Sequence, residues 1–204
     1  MNNTAPTHYP VMEHFYTIQG EGFYTGHAAY FVRLGGCNVG CVWCDVKESW
    51  NADNHPKHSI SEILNWVLSS KAKLCVITGG EPAMYNIEQL VTLLKQNYIQ
   101  VNIETSGAYP LTGAIDWVCV SPKKFKAPIP EALALANEYK VVVFHKSDIE
   151  WATQFTAHLP AHCKLYLQPE WSKSETITPL IIDFVKQNPK WQISLQTHKY
   201  LQIS

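Results

Sequence analysis

The sequence has little charge of either sign to spare. Sixteen basic residues stand against seventeen acidic ones, for a formal net charge of -1 over 204 residues. The lysines are scattered along the chain, so no electrostatic footprint for a phosphate backbone is present and direct binding to DNA or RNA is not expected. Long apolar runs are missing too, and no stretch approaches the roughly eighteen consecutive apolar residues that a membrane-spanning helix needs. The first ten residues are polar, without the basic start and apolar run of a secretory signal. A cytoplasmic protein without leader or anchor is the expectation. Internal repeats, low-complexity tracts and linkers are likewise absent. With 46% hydrophobic residues, the chain is expected to bury one core as a single domain spanning 1–204. It nevertheless falls short of an ordinary eight-fold β/α barrel, which takes about 250 residues.

What is present is concentrated in one loop. Cys37, Cys41 and Cys44 follow one another as Cys-x3-Cys-x2-Cys, and soft thiolates so close together suit zinc, copper(I) or an iron-sulfur centre. Structural zinc and ordinary four-iron clusters each take four protein ligands. No fourth cysteine or close histidine stands at matching spacing, so a four-iron cluster here would keep one iron without a protein thiolate. A metal position left open by the protein is where a substrate or cosubstrate can coordinate. The octet alone also admits half of a zinc ribbon, or a redox pair with a bystander. Cys75 and Cys119 sit in apolar runs and read as small buried hydrophobes; Cys163 is given no role. Disulfides are not expected in a reducing compartment.

Around that loop the chain alternates apolar strands with amphipathic helices. Residues 15–22 read as an apolar start collapsing into a turn at Gly20 and Gly22. Residues 28–34 read as a buried strand whose oddity is Arg33, a charge that either pairs structurally or holds an anionic ligand. Residues 50–58 read as loop. A capping box at 59–62 opens a helix with Ile60, Ile63, Leu64, Val67 and Leu68 on one face. Strands follow at 74–78, 99–104, 117–120, 139–144, 165–167 and 191–195, with helices at 86–94, 130–137, 149–158 and 177–187. The connection 108–115 is shorter than the dozen or so residues of a helical crossover, so a helix is missing there. Strand then helix, repeated, implies parallel strands. Polar and glycine-bearing residues gather after the strands, and in barrel-like folds that rim binds ligands. The expected architecture is α/β, an abbreviated and incompletely closed barrel of about seven strands and fewer helices. Its rim would bring together Arg33, the cysteine loop, 78–81, 104–106, 121–123, His145 and Gln168.

The cysteine spacing resembles that of the radical S-adenosylmethionine (SAM) superfamily. The resemblance narrows with Thr17-Ile18-Gln19-Gly20-Glu21-Gly22, Phe31-Val32-Arg33-Leu34, Trp43-Cys44-Asp45, Ile77-Thr78-Gly79-Gly80-Glu81-Pro82, Ile103-Glu104-Thr105-Ser106-Gly107, Ser121-Pro122-Lys123 and Gln196-Thr197-His198-Lys199-Tyr200-Leu201. Together these are similar to the 7-carboxy-7-deazaguanine synthase family of the queuosine pathway. That resemblance implies conversion of 6-carboxy-5,6,7,8-tetrahydropterin to 7-carboxy-7-deazaguanine with loss of ammonia, for tRNA modification. It also implies a [4Fe-4S] cluster on Cys37, Cys41 and Cys44, with SAM regenerated as a cofactor. Trp43, Asp45, Gly79, Gly80, Glu81, Ser121, Pro122, Lys123 and Gln168 would meet SAM. In particular, Glu81 would offer its carboxylate to the methionine amino group. Ile18, Gln19, Gly20, Glu21, Arg33 and Thr78 would meet the pterin, Arg33 through a forked ion pair with its carboxylate. Glu104 and His198 are open between substrate and structural roles. A low-potential flavodoxin or ferredoxin as electron donor and a homodimer are also implied. One position departs from the family, whose resemblance implies magnesium: the threonine that holds the ion is here Val46, which has no side-chain oxygen, so either water and substrate alone hold the ion, another group such as Asp45 or Ser49 stands in, or the enzyme works without it. Competing readings are an activase that makes a glycyl radical on a partner protein, and a zinc- or cluster-bearing interaction module.

Overall fold

The computed structural model describes residues 6–203; the first five residues of the polar N-terminal stretch, and residue 204, lie outside the described residues. One sheet of nine strands runs through it: β1 (His8–Ile18), β2 (Ala28–Leu34), β3 (Lys57–Ser59), β4 (Leu74–Gly79), β5 (Gln100–Thr105), β6 (Trp117–Val120), β7 (Glu138–Val143), β8 (Lys164–Pro169) and β9 (Trp191–Ile193). Their spatial order is β3-β1-β2-β4-β5-β6-β7-β8-β9. From β2 through β9 the neighbours are parallel, while β1 pairs antiparallel with β2 and β3. The seven strands read from the sequence are thus the parallel set, and the sheet is open, as expected of an incomplete barrel.

The two strands that the pattern missed are the antiparallel ones. Residues 15–22 include only the end of β1, whose second half alternates exposed with half-buried positions and so carries no apolar run. β3 is three residues long within polar sequence. It leads directly into α1 (Ile60–Ser69), where Ser59 Oγ accepts from Glu62 N–H and the Glu62 carboxylate accepts from Ser59 N–H, the reciprocal cap read from the sequence.

Further helices are α2 (Glu88–Gln96), α3 (Pro130–Ala134), α4 (Lys146–Thr153), α5 (Ser174–Gln187) and the short α6 (Thr197–Leu201). Between β5 and β6 there is no helix, as the short connection implied. That connection is strapped across α2 instead. Thr112 Oγ1 accepts from Ile87 N–H at 2.9 Å, Lys95 Nζ donates to Ala114 O at 2.7 Å, and a Cβ on Gly113 would lie 3.1 Å from Glu88 Cα. Leu111 and Ile115 of this connection pack against the main core where a crossover helix would otherwise lie.

Strand alternation divides the interior in two. Val32, Leu34, Ile77, Ile103, Val120, Tyr139, Val141 and Leu167 point outward into the main core under the helices. The opposite faces of β2 and β4 carry Ala29, Phe31, Leu74 and Val76, which with Phe15 and Tyr24 form a small apolar floor inside the curl. Phe23 closes that floor by stacking on Trp117 at 4.7 Å. Above the floor the inward positions turn polar: Arg33, Thr78, Glu104, Lys140 and Gln168 all line one cavity. The sheet is curled enough that Gly20 O, just beyond β1, accepts from Thr197 N–H, beyond β9, at 2.9 Å. No helix among the described residues is long and apolar enough to cross a membrane.

Candidate active site

The cavity, about 240 Å³, opens at the carboxyl ends of the parallel strands. Its wall begins with the cysteine loop. Gly36 and Gly40 carry φ of 101° and 78°, backbone that only glycine takes without strain, and they turn the loop around its three thiols. The loop is stitched to the turn after β4: Gly80 N–H donates to Leu34 O at 2.9 Å and Glu81 N–H to Gly36 O at 2.8 Å. A Cβ on Gly80 would drive into Gly36 O and come to 3.0 Å from Cys37 Cβ. Glycine is therefore required where the two loops meet.

Burial raises the Cys41 thiol to about 11, the nearby Lys123 charge offsetting part of that, and burial raises Cys37 as well. Among the described residues, no three His, Cys, Asp or Glu side chains converge at single-ion distance. A four-iron cluster does not require such convergence, since each thiolate takes its own iron. Three soft donors on one glycine-turned loop that faces an open cavity fit such a cluster with one corner uncapped.

Glu81 differs from its sequence reading. Its buried carboxylate accepts from Ala83 N–H at 3.0 Å, Thr105 Oγ1 at 2.5 Å, Ser106 N–H at 2.7 Å and Ser106 Oγ. Four donors occupy the lone pairs of one carboxylate, so Glu81 braces the turn after β4 against the end of β5 rather than presenting a free acceptor. The peptide groups of Gly79 and Gly80 are what the turn offers to the cavity. Nearby, Lys123 Nζ donates to Ser121 O at 2.6 Å and Ser121 Oγ at 2.7 Å and lies 5.7 Å from the Trp43 ring. Pro122 is buried behind them and does not line the cavity, although its two neighbours do.

On the far wall stands Arg33, the only arginine in the chain. Its Nε is 2.8 Å from Glu13 Oε1, yet the N–H does not point at that oxygen, so this is an ion contact without a hydrogen bond. The guanidinium rests 5.9 Å from the Phe15 ring centroid, and its side chain is 27% exposed. A forked donor in this position can take an incoming carboxylate.

Opposite it, the Gln19-Gly20-Glu21-Gly22 turn is held by buried polar contacts. Gln19 Nε2 donates to Glu104 Oε1 at 2.9 Å, and Gln19 Oε1 accepts from Glu21 N–H at 3.0 Å. Lys140 Nζ lies 2.5 Å from Glu21 Oε2 and 3.5 Å from Glu104 Oε1. Gln196 Nε2 donates to the other Glu21 oxygen at 2.8 Å. Burial alone would raise the Glu21 carboxyl, but the Lys140 charge and the bonds from Lys140, Gln196 and Gln168 outweigh it and hold the group at about 2, below its ordinary 4.5. The stability this adds is present above pH 4.5 and disappears as the pH falls toward 2. Gln168 accepts from Ser194 Oγ at 2.7 Å, and Ser194 in turn accepts from Gly22 N–H at 2.9 Å. Gly20 packs so closely on His198 that a Cβ there would lie 2.8 Å from His198 Cβ.

Thus Ile18, Gln19, Gly20, Glu21, Arg33, Thr78 and the cysteine loop with Trp43 and Asp45 are brought to one mouth, together with Gly79, Gly80, Glu81, Ser121, Lys123, Gln168, Glu104 and His198. His145 is not among them. It is exposed at the start of α4, where its backbone N–H and that of Phe144 donate to Asp148 Oδ2. Pattern reading missed Lys140 and Ser194, and it quoted Gln196 in a motif without giving it a role. The signal for Lys140 was available: a lysine inside Glu-Tyr-Lys-Val-Val-Val is the same anomaly as Arg33.

Val46 offers no side-chain oxygen, and its carbonyl is taken by Ser49 Oγ at 2.7 Å. Asp45 remains, 3.9 Å from Lys199 Nζ. This corner therefore offers one carboxylate, and a hard divalent ion here would take its other oxygens from water and ligand.

Comparison with known proteins agrees with this geometry. The radical SAM superfamily profile matches residues 31–143, from β2 through β7, and the chain belongs to that superfamily. Within it, the 7-carboxy-7-deazaguanine synthase of Flavobacterium psychrophilum is 55% identical over 95% of this chain and 92% of its own. The enzyme of that name from Escherichia coli K12 is 36% identical over 96% and 99%. A solved structure, described as QueE from Escherichia coli, superposes with a TM-score of 0.84 at 33% identity, covering 92% of this chain and 93% of that one. The chain is a member of the 7-carboxy-7-deazaguanine synthase family.

Proposed function

We propose that this chain contracts the ring of 6-carboxy-5,6,7,8-tetrahydropterin to 7-carboxy-7-deazaguanine with loss of ammonia, as a step of queuosine synthesis for tRNA modification. One observation carries the reading: a cavity that joins an open cysteine loop to the chain's lone arginine and to a ring of Gln19, Glu21 and Glu104. Cys37, Cys41 and Cys44 would hold a [4Fe-4S] cluster, and the peptide groups of Gly79 and Gly80, with Trp43, Asp45, Ser121, Lys123 and Gln168, would hold SAM. When bound, these groups supply the one-electron cleavage and hydrogen abstraction that no side chain can perform. The remaining work is positioning. Arg33 neutralises and orients the substrate carboxylate. Gln19, Glu21 and Glu104 accept from the amino and N–H edge of the heterocycle, Ile18 and Thr78 bound its face, and Phe31 beneath excludes water.

Anaerobic turnover of the pterin by the reconstituted protein, followed by mass spectrometry, is the test. A mass matching the deazaguanine supports the reading; SAM cleavage without that product would end it. The activase alternative would instead give a glycyl radical on a partner protein and leave the pterin untouched.

Magnesium dependence is expected to be weak, because Val46 supplies no oxygen. Turnover should change less than about twofold between chelator and millimolar magnesium, and Val46→Thr should introduce a dependence. Strict dependence in the unaltered chain would contradict this. We further propose that residues 1–204 act as one cytoplasmic radical SAM domain. A low-potential flavodoxin or ferredoxin would meet the exposed Val42 of the cysteine loop and Lys126, which donates to Asn38 Oδ1 of that loop at 3.1 Å. A homodimer would cover apolar side chains such as Tyr200 and Leu201.

A further inference from the structure

We propose that Lys140 is a positioning residue for this reaction: its buried ammonium bridges Glu21 and Glu104, so that together they face the substrate as hydrogen-bond acceptors. The inference rests on the pterin reading above and adds a residue to it.

Lys140 lies in the middle of β7 with its side chain 2% exposed, yet it borders the cavity. Its ammonium touches two carboxylates that come from distant parts of the chain, the turn after β1 and the end of β5. Gln19 joins the same two residues from the other side, its amide donating to the Glu104 carboxylate and accepting from the Glu21 backbone N–H, so that four residues close a ring. Such a triad carries one more negative than positive charge. As a device for stability alone it is poor, because buried ions are replaceable by apolar groups at little or no cost. In the wall of a ligand cavity it has another use. Two carboxylates in one low-dielectric site do not both stay ionised unless a cation lies between them.

The surrounding charges do not substitute for it. Glu138, two residues earlier on β7, is raised by burial, and its Oε2 accepts from Trp117 Nε1 at 3.0 Å. Cys119 on β6 is raised by burial and is uncharged. Lys123 beyond β6 donates to Ser121. His198 on α6 is lowered by burial and so is neutral near pH 7. Lys140 itself loses charge stability by burial but gains more from Glu104 and Glu21, and is held well above the ordinary lysine range. Without it, one of the two carboxyls takes a proton and becomes a donor, opposing a donor edge of the substrate.

The test compares the cluster- and SAM-loaded protein with Lys140→Met and Lys140→Met/Glu104→Gln. Substrate affinity is measured without reductant by equilibrium dialysis from pH 6 to 9, and KM and kcat by turnover. The unaltered protein should show substrate affinity that changes little across this range. Lys140→Met should bind at least about tenfold more weakly at pH 7 and recover as the pH rises, with kcat changed far less than KM. The double variant, with one carboxylate and one cation removed together, should lose the pH dependence. Equal affinity and equal pH profiles in Lys140→Met and the unaltered chain would overturn the proposal, as would a lowered melting temperature with unchanged affinity. Collapse of both variants would assign Lys140 to the fold and overturn it too. Failure of the unaltered chain to bind the pterin is a different result, which removes the functional reading and this inference with it.

Discussion

Cys41→Ala is expected to emerge from anaerobic reconstitution with little iron and no measurable turnover, a loss on the scale of the ~10⁶-fold or greater acceleration that enzymes supply. The loop offers three thiols and no spare. Cys41 is the most enclosed of them, 8% exposed, while Cys37 and Cys44 are half-buried. Neither His198 nor Asp45 takes its place, because the first packs against Gly20 and the second lies near Lys199. The natural control is Cys163→Ala. That thiol contacts the neighbouring Lys164 carbonyl at 3.8 Å and does not line the cavity, so its loss should leave iron content and turnover unchanged. Iron and sulfide analysis with electron paramagnetic resonance of the reduced protein reads the result. A Cys41→Ala protein with full iron and full turnover would remove the cysteine loop from the mechanism.

How much of this was legible in advance follows from what each residue type advertises. The parallel strands could be read because both of their faces are covered, which forces continuous apolar runs such as Leu-Cys-Val-Ile-Thr in β4. β1 could not, since half of it is solvated and its order comes from pairing with β2 and β3. The glycines and cysteines of the site advertised themselves by spacing. The polar ring did not, because Glu21, Lys140 and Glu104 meet only when a curled sheet brings three distant segments together. Glu81 shows the opposite failure. Its motif pointed to a ligand, but its neighbours Thr105 and Ser106 saturate the carboxylate, and nothing in a linear pattern counts lone pairs. His145 was placed on the rim by its position after a strand, yet that strand end bends into α4 and carries it outward.

Gly79→Ala is expected to weaken the fold and the site at once, because this glycine is where they are the same thing. Its φ of +126° lies in territory that costs an L-residue about 1–2 kcal/mol. A methyl group there would also collide with the backbone N and O of Leu34 and come within 2.9 Å of the Arg33 carbonyl carbon. Backbone atoms cannot rotate away, so β2 and β4 must part at the end of their parallel ladder, where Leu34 pairs with Gly79. The Gly80 N–H bond to Leu34 O sits in the path of that movement. Together these effects should cost about 3–5 kcal/mol, the scale of overpacking added to backbone strain. For a chain of this size that lowers the melting temperature by about 10 °C. Arg33, one residue before Leu34, must move with the strand, so the affinity for the substrate carboxylate should fall as well. Gly26→Ala is the contrast: its φ is +88°, but nothing lies within 4 Å of the added methyl. Only strain remains there, and the expected shift is about 3 °C with KM unchanged. If the two variants melt alike and bind the pterin alike, the close approach of β2 to the turn after β4 is not what holds the cavity's wall together.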